Sequence, residues 1–214
     1  MNAFKAACFA IAIVAVLVGF LVYPFLPNRV PTHWNAAGEI DGYGSKATGA
    51  FIFPLIMLFV LLLFILVPKI AVFKKNLKAF EKQYWTLCLT LQLFFLLFYV
   101  MTLLPNFGYG FDFSQIITLP LAMLFIGIGI LMPSFKRNFF VGIRTPWSLA
   151  NDTVWKKTHG FGGKLFILAG LAMLFSLPFP KAAIWVVLAG ALIAAFAAVV
   201  YSFIEFRKNE RVRL

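Results

Sequence analysis

Six apolar segments of roughly 17–22 residues recur along the chain, at 6–26, 51–67, 83–104, 115–132, 164–179 and 183–204. An α-helix rises about 1.5 Å per residue, so about 20 apolar residues cross the ~30 Å hydrocarbon core of a bilayer. Hydrocarbon offers the backbone no outside hydrogen-bond partner, which makes a helix the expected form of each segment. The pattern predicts an all-α, polytopic membrane protein with six transmembrane helices. Composition agrees, since 63% of the 214 residues are hydrophobic and only 12% are charged, about half the charged share of an ordinary soluble domain.

A net charge of +12 raises the question of nucleic acid, and the placement of the basic residues answers it. Lys5 precedes the first span; Lys69, Lys74, Lys75, Lys78 and Lys82 lie between the second and third. Lys136, Arg137, Arg144, Lys156, Lys157 and Lys164 lie between the fourth and fifth, and Arg207, Lys208, Arg211 and Arg213 follow the sixth. Only Arg29, Lys46 and Lys181 fall on the opposite side. The positive-inside rule then places both termini and the two basic loops in the cytoplasm, against anionic lipid. No direct nucleic-acid contact is needed to explain the charge. The first span runs into Tyr23-Pro24-Phe25-Leu26-Pro27 without a small-residue cleavage site and is read as a retained helix. Cys8 and Cys88 lie in or beside spans and are expected to pack as small apolar groups.

Two polar stretches stand out. The first, 27–50, reads PNRVPTHWNAAGEIDGYGSKATGA and is longer than a connection between helices requires. Its Pro, Gly, Asn and Asp content reads as turns, with Asp41-Gly42 the sharpest. His33, Asn35, Glu39, Asp41 and Lys46 are its candidate ligand-binding groups. One imidazole with two carboxylates is an incomplete metal set, and no metal or cofactor is expected. The basic segment 69–82 has apolar residues at Ile70, Val72, Phe73, Leu77 and Phe80, which suits either a short helix on the membrane surface or a solvated linker. The outer loop 105–114 carries Asp112 as its only charge.

The second stretch, within the loop 133–163, reads GIRTPWSLANDTVWKKTHGFGGK from Gly142 to Lys164. Thr145-Pro146 suits a helix start, although Ser148 or Asn151 can equally cap one. If 151–159 is helical, Asn151, Trp155 and His159 share a face with Thr158 beside it. Gly160, Gly162 and Gly163 are expected to end that helix. Arg144 beside Trp147 reads as a cation–aromatic pair or a lipid-phosphate contact. In span six, Gly190, Ala194 and Ala198 form a small-residue stripe suited to close packing, within the bundle or across a homodimer.

Gly142, Ile143, Arg144, Thr145, Pro146 and Trp147, followed by Asn151, Trp155, Thr158, His159 and Gly163, resemble the SdpI family of bacterial membrane immunity proteins. The outer loop separately resembles the domain that often precedes this module, through Pro31, His33, Asn35, Gly38, Asp41, Gly42, Gly44 and Lys46. Ser148 stands where threonine is more usual. The resemblance implies an amino-terminal membrane hairpin, 1–82, followed by a four-helix module, 83–214, in the bacterial plasma membrane. It also implies immunity to a secreted, membrane-active toxin peptide and, in the receptor form of the family, retention of a transcriptional repressor at the membrane. The outer-loop residues would then meet the peptide, and the inner motif would hold the bundle or a partner.

Two other classes are weaker. A membrane enzyme acting on lipid or peptide through His33 with Glu39 or Asp41, or through His159 with Asp152, lacks an evident nucleophile, so no catalytic residue is assigned. A coupled transporter usually needs a charged residue inside the membrane, and apart from Lys164 at the edge of the fifth the six predicted spans contain no Asp, Glu, Lys, Arg or His.

Overall fold

A computed structural model describes residues 3–35, 39–110 and 113–211; Gly38, Asp112 and Arg213 lie outside the described residues. The elements in order are α1 (Ala3–Val22), β1 (Arg29–Trp34), β2 (Ile40–Ser45), α2 (Lys46–Ile70), α3 (Lys74–Ala79), α4 (Glu81–Leu103), α5 (Phe113–Leu131), α6 (Pro146–Ala150), α7 (Asp152–Ser176) and α8 (Pro180–Arg211). Among the described residues six helices are long and apolar enough to span a membrane, namely α1, α2, α4, α5, α7 and α8. Large apolar side chains such as Leu55, Phe59, Phe175, Leu192 and Phe196 point outward, as expected where the surrounding solvent is hydrocarbon.

α1, α2 and α4 pack on one another, α5, α7 and α8 do the same, and α4 joins the two groups through α5. The β1–β2 hairpin covers one end of the bundle. The connections α2–α4 and α5–α7 lie at the other, here called the motif end.

α2 stays helical through two internal prolines because α4 supplies what they remove. Proline has no N–H, so Pro54 and Pro68 leave the carbonyls of Ala50 and Phe64 without their usual i+4 donors. The Tyr99 hydroxyl donates to Ala50 O at 2.6 Å and the Tyr84 hydroxyl to Phe64 O at 3.1 Å. Between them, Gln92 Nε2 donates to Met57 O at 2.9 Å, so the mid-membrane glutamine fastens two helices. Tyr99→Phe should cost about 1–2 kcal/mol of stability by orphaning a buried carbonyl. In a Pro54→Ala background the restored N–H should reach Ala50 O and most of that cost should vanish. Denaturation of the four proteins in mixed micelles measures this, and an identical cost in both backgrounds would refute the account.

α5 and α7 meet backbone to backbone. A Cβ on Gly163 would lie 2.7 Å from Gly129 O, one on Gly129 would lie 2.7 Å from Gly163 O, and one on Gly170 would lie 2.8 Å from Ala122 O. Close approach of this kind drives helix association where lipid removes the hydrophobic contrast. It also corrects the expectation that Gly160, Gly162 and Gly163 end a helix, since α7 continues through them to Ser176. Gly190 packs toward Ala169, and Ala194 and Ala198 are buried. The stripe expected to serve packing or a homodimer is thus covered within the chain. Cys8 and Cys88 are free and fully buried.

Candidate functional site

At the hairpin end, Ser45 starts α2 by accepting the Thr48 N–H at 3.1 Å. The preceding residues pair antiparallel, with Arg29 opposite Ser45, Val30 opposite Gly44, His33 opposite Gly42 and Trp34 opposite Ile40. Asp41-Gly42 therefore lies in a strand, against the turn expected there. Glycine at 42 serves close packing, since a Cβ would sit 2.7 Å from His33 Cβ. Beyond the paired residues, Asn35 N–H donates to Glu39 O at 2.9 Å and Glu39 N–H to Asn35 Oδ1 at 3.0 Å.

Four of the five outer candidates form two pairs. His33 Nδ1 lies 2.6 Å from Asp41 Oδ1 on the exposed face, and Asn35 Nδ2 donates to Glu39 Oε2 at 2.9 Å. Lys46 turns back to the turn that follows α1, donating to Pro24 O at 3.3 Å with its ammonium 4.8 Å from the Tyr23 ring centroid. Among the described residues no three His, Cys, Asp or Glu side chains cluster as metal ligands. Beneath the hairpin is a recess of about 430 Å³, walled by Val30, Trp34, Phe53, Phe98 and Leu103, with Thr32, His33, Thr48, Thr102 and Asn106 as polar groups. Sequence reasoning missed this recess, because its walls come from four separate elements.

At the motif end the predicted residues converge, and most turn inward. Thr145 caps α6 by accepting the Ser148 N–H at 3.1 Å, and Ser148 Oγ accepts the Thr145 N–H at 3.0 Å. Pro146 occupies the first turn. Asn151 Oδ1 caps α7 through the N–H groups of Thr153 and Val154. Thr145 and Asn151 are thus used in succession, one per helix, while Ser148 completes the box at Thr145 and caps no helix itself.

Trp155 and His159 form the centre. Trp155 Nε1–H donates to Phe135 O at 2.7 Å, and its ring stacks on the imidazole with centroids 4.0 Å apart. His159 Nε2 accepts the Ile143 N–H at 3.0 Å, which puts the ring proton on Nδ1, 2.8 Å from Trp155 O. The imidazole is therefore neutral and fully occupied. It does not meet Asp152, which pairs with Arg137 at 2.9 Å, so the suggested His159–Asp152 acid–base pair is not formed. Thr158 is fully buried, and Gly163 belongs to the α5–α7 crossing.

Gly142 is where this arrangement needs glycine. Its φ is +105°, and a Cβ there would lie 2.2 Å from His159 Nε2. The expected Arg144–Trp147 pair is replaced by separate contacts: Arg144 Nη1 donates to Phe139 O, and Trp147 packs edge-on against Phe203 of α8. Arg144 precedes the Thr145 cap and Trp147 lies in the first turn of α6, and each finds a partner on a different segment.

Other contributors were not singled out from the sequence. Asn138 Oδ1 accepts the Phe140 and Val141 N–H groups, both at 2.8 Å, and closes the turn before the motif. Ser202 pairs with Thr145 at 2.9 Å, and buried Glu205 binds Lys157 at 2.8 Å. Two polar residues three apart at the end of an apolar run were the available signal. Leu77 and Phe80 are buried, and Asn76 Nδ2 donates to Arg137 O at 2.7 Å. The 69–82 segment thus docks on the motif and does not simply lie on lipid.

Comparison with known proteins converges on the same two stretches. Residues 134–202 match the SdpI/YfhL protein family, and residues 10–58 match a domain of unknown function (DUF1648). The immunity protein SdpI of Bacillus subtilis (strain 168) is 30% identical over 167 residues, covering 75% of this chain and 76% of that protein. No solved structure matches the chain. With the motif, its buried Trp155–His159 centre and a relative covered over three quarters of its length, this six-helix membrane protein belongs to the SdpI/YfhL family.

Proposed function

We propose that this protein confers immunity to a membrane-active peptide toxin, in a bacterial plasma membrane, with its motif end and both termini in the cytoplasm. Its relative is an immunity protein, and the heavy bias of basic residues toward the motif end supports the orientation. The recess under the hairpin carries the assignment of a site. An apolar peptide segment arriving from outside meets aromatic walls there, with a few threonine and asparagine groups to fix its backbone. His33 lines it and pairs with Asp41, Asn35 with Glu39 continues the polar surface of the hairpin, and Lys46 holds the hairpin to the turn after α1. Residues 1–82 supply most of the recess and 83–214 the motif, so the two act together.

In a toxin-sensitive strain, wild-type protein should raise survival under peptide challenge. Thr102→Trp, which fills the recess, should abolish protection at matched membrane abundance, whereas Arg144→Ala should retain it. No protection by abundant wild-type protein would remove the immunity reading, and protection unaffected by Thr102→Trp would remove the recess.

The receptor reading adds a cytoplasmic repressor held at the motif end, where Arg144 is exposed and Trp147 is half-buried beside α8. Loss of membrane co-fractionation of that repressor in Arg144→Ala, with protection intact, is its expected signature. The enzyme alternative keeps one specific feature, the 2.6 Å His33–Asp41 contact. It predicts toxin cleavage that disappears in His33→Ala.

A further inference from the structure

A second cavity lies at the motif end. It has a volume of about 480 Å³ and is formed by the start of α1, the last turns of α2, α3 and the start of α4. Its floor is apolar and aromatic, with Phe64, Ile65, Leu77 and Trp85. Lys5, Lys69, Lys74 and Lys78 line it as well, against one carboxylate, Glu81. None of these lysines makes an ion pair among the described residues. Lys5 is half-buried, with its ammonium 5.1 Å from the Trp85 ring centroid.

Its depth is set by the helices. α2 is apolar as far as Val67 and then meets Pro68-Lys69, while α1 begins beside Lys5. The lysines therefore sit where hydrocarbon ends, and the aromatic floor lies toward the hydrocarbon. Concentrated cationic charge above an apolar wall at this level matches a phosphate attached to acyl chains. The shape is also held from the protein side, since Asn76 ties α3 to Arg137 and the Tyr84 hydroxyl binds Phe64 O.

We propose that this cavity is a binding site for one anionic phospholipid, its phosphate among Lys5, Lys69, Lys74 and Lys78 and its acyl chain along Phe64 and Ile65. The bound lipid fills the gap between α3 and the ends of α1 and α2, and so supports the segment that docks on the motif. This does not depend on toxin binding.

The test is native mass spectrometry of the full chain, released from micelles titrated with phosphatidylglycerol or phosphatidylcholine. Wild type should retain one phosphatidylglycerol in preference to phosphatidylcholine. Lys5→Gln and Lys69→Gln should each weaken that preference about fivefold, the effect of one lysine near a charged lipid surface. Lys156→Gln and Lys164→Gln, outside the cavity, should leave it unchanged. The four single variants keep the experiment decisive should a combined lysine variant fail to fold. Equal retention of the two lipids, or a preference untouched by Lys5→Gln and Lys69→Gln, would overturn the proposal. Full displacement of the lipid by millimolar inorganic phosphate would also overturn it, since the site would then recognise free phosphate alone.

Discussion

Gly142→Ala is expected to destabilise the protein by about 3–5 kcal/mol and to deplete it from the folded membrane fraction. Two costs combine. A non-glycine residue held at φ +105° carries strain of about 1–3 kcal/mol. The new Cβ would also sit 2.2 Å from His159 Nε2, so the imidazole must leave the Ile143 N–H, which then lacks its partner at a further cost of about 1–3 kcal/mol. Unfolding in mixed micelles measures the total. His159→Gly in the same chain removes the collision but not the backbone strain, so the double variant should lose clearly less than the sum of the two single changes. Strict additivity, or a wild-type unfolding midpoint for Gly142→Ala, would show that the imidazole does not occupy this position.

Trp155→Ala should be comparably severe, about 3–5 kcal/mol, the usual range for truncating a large buried aromatic. The ring is 2% exposed, stacks on His159 and donates to Phe135 O, so its loss opens a cavity and orphans a carbonyl together. Trp155→Phe keeps most of the volume and should cost about 1–2 kcal/mol, mainly through the missing N–H donor. Limited trypsin digestion adds a local readout. Lys136 and Arg137 adjoin Phe135, and cleavage there should accelerate markedly in Trp155→Ala and mildly in Trp155→Phe. Unchanged cleavage in Trp155→Ala would mean that the loop is held by something other than this residue.

Both predictions concern the inner motif, whose local parts were legible. Capping is decided within four residues, so Thr145-Pro146 and Asn151 could be read as helix starts, and the shared face of Asn151, Trp155 and His159 follows from helical spacing. What these side chains bond was not legible, because Phe135, Ile143 and Ser202 reach them through the turn closed by Asn138 and through α8. The glycines at 160, 162 and 163 misled for a related reason. A chain terminator and a contact point between helices look the same in one dimension, and only the approach of α5 to α7 distinguishes them.

The outer loop shows the opposite balance. Its residue types are legible, but strand pairing joins residues 6 to 16 positions apart, beyond the reach of local capping rules, and a segment rich in Gly and Pro carries little β signal. Asp41-Gly42 therefore carries the local signature of a turn although it pairs in a strand, and nothing local marks the recess below.

By itself the sequence determined six membrane-spanning helices, the bias of basic charge toward alternate loops, the family motif and the caps that start α6 and α7. These depend on bilayer thickness, on charge along the chain and on bonds a few residues long, all of which are one-dimensional. Tertiary structure alone decided that Tyr84 and Tyr99 repair the prolines of α2, that Trp155 and His159 close inward with no free valence, that the stripe of α8 is covered by α7, and that a recess lies under the hairpin. Each of those requires groups from separate elements to fill one another's unmet hydrogen bonds or volume, and that is settled only when the helices pack.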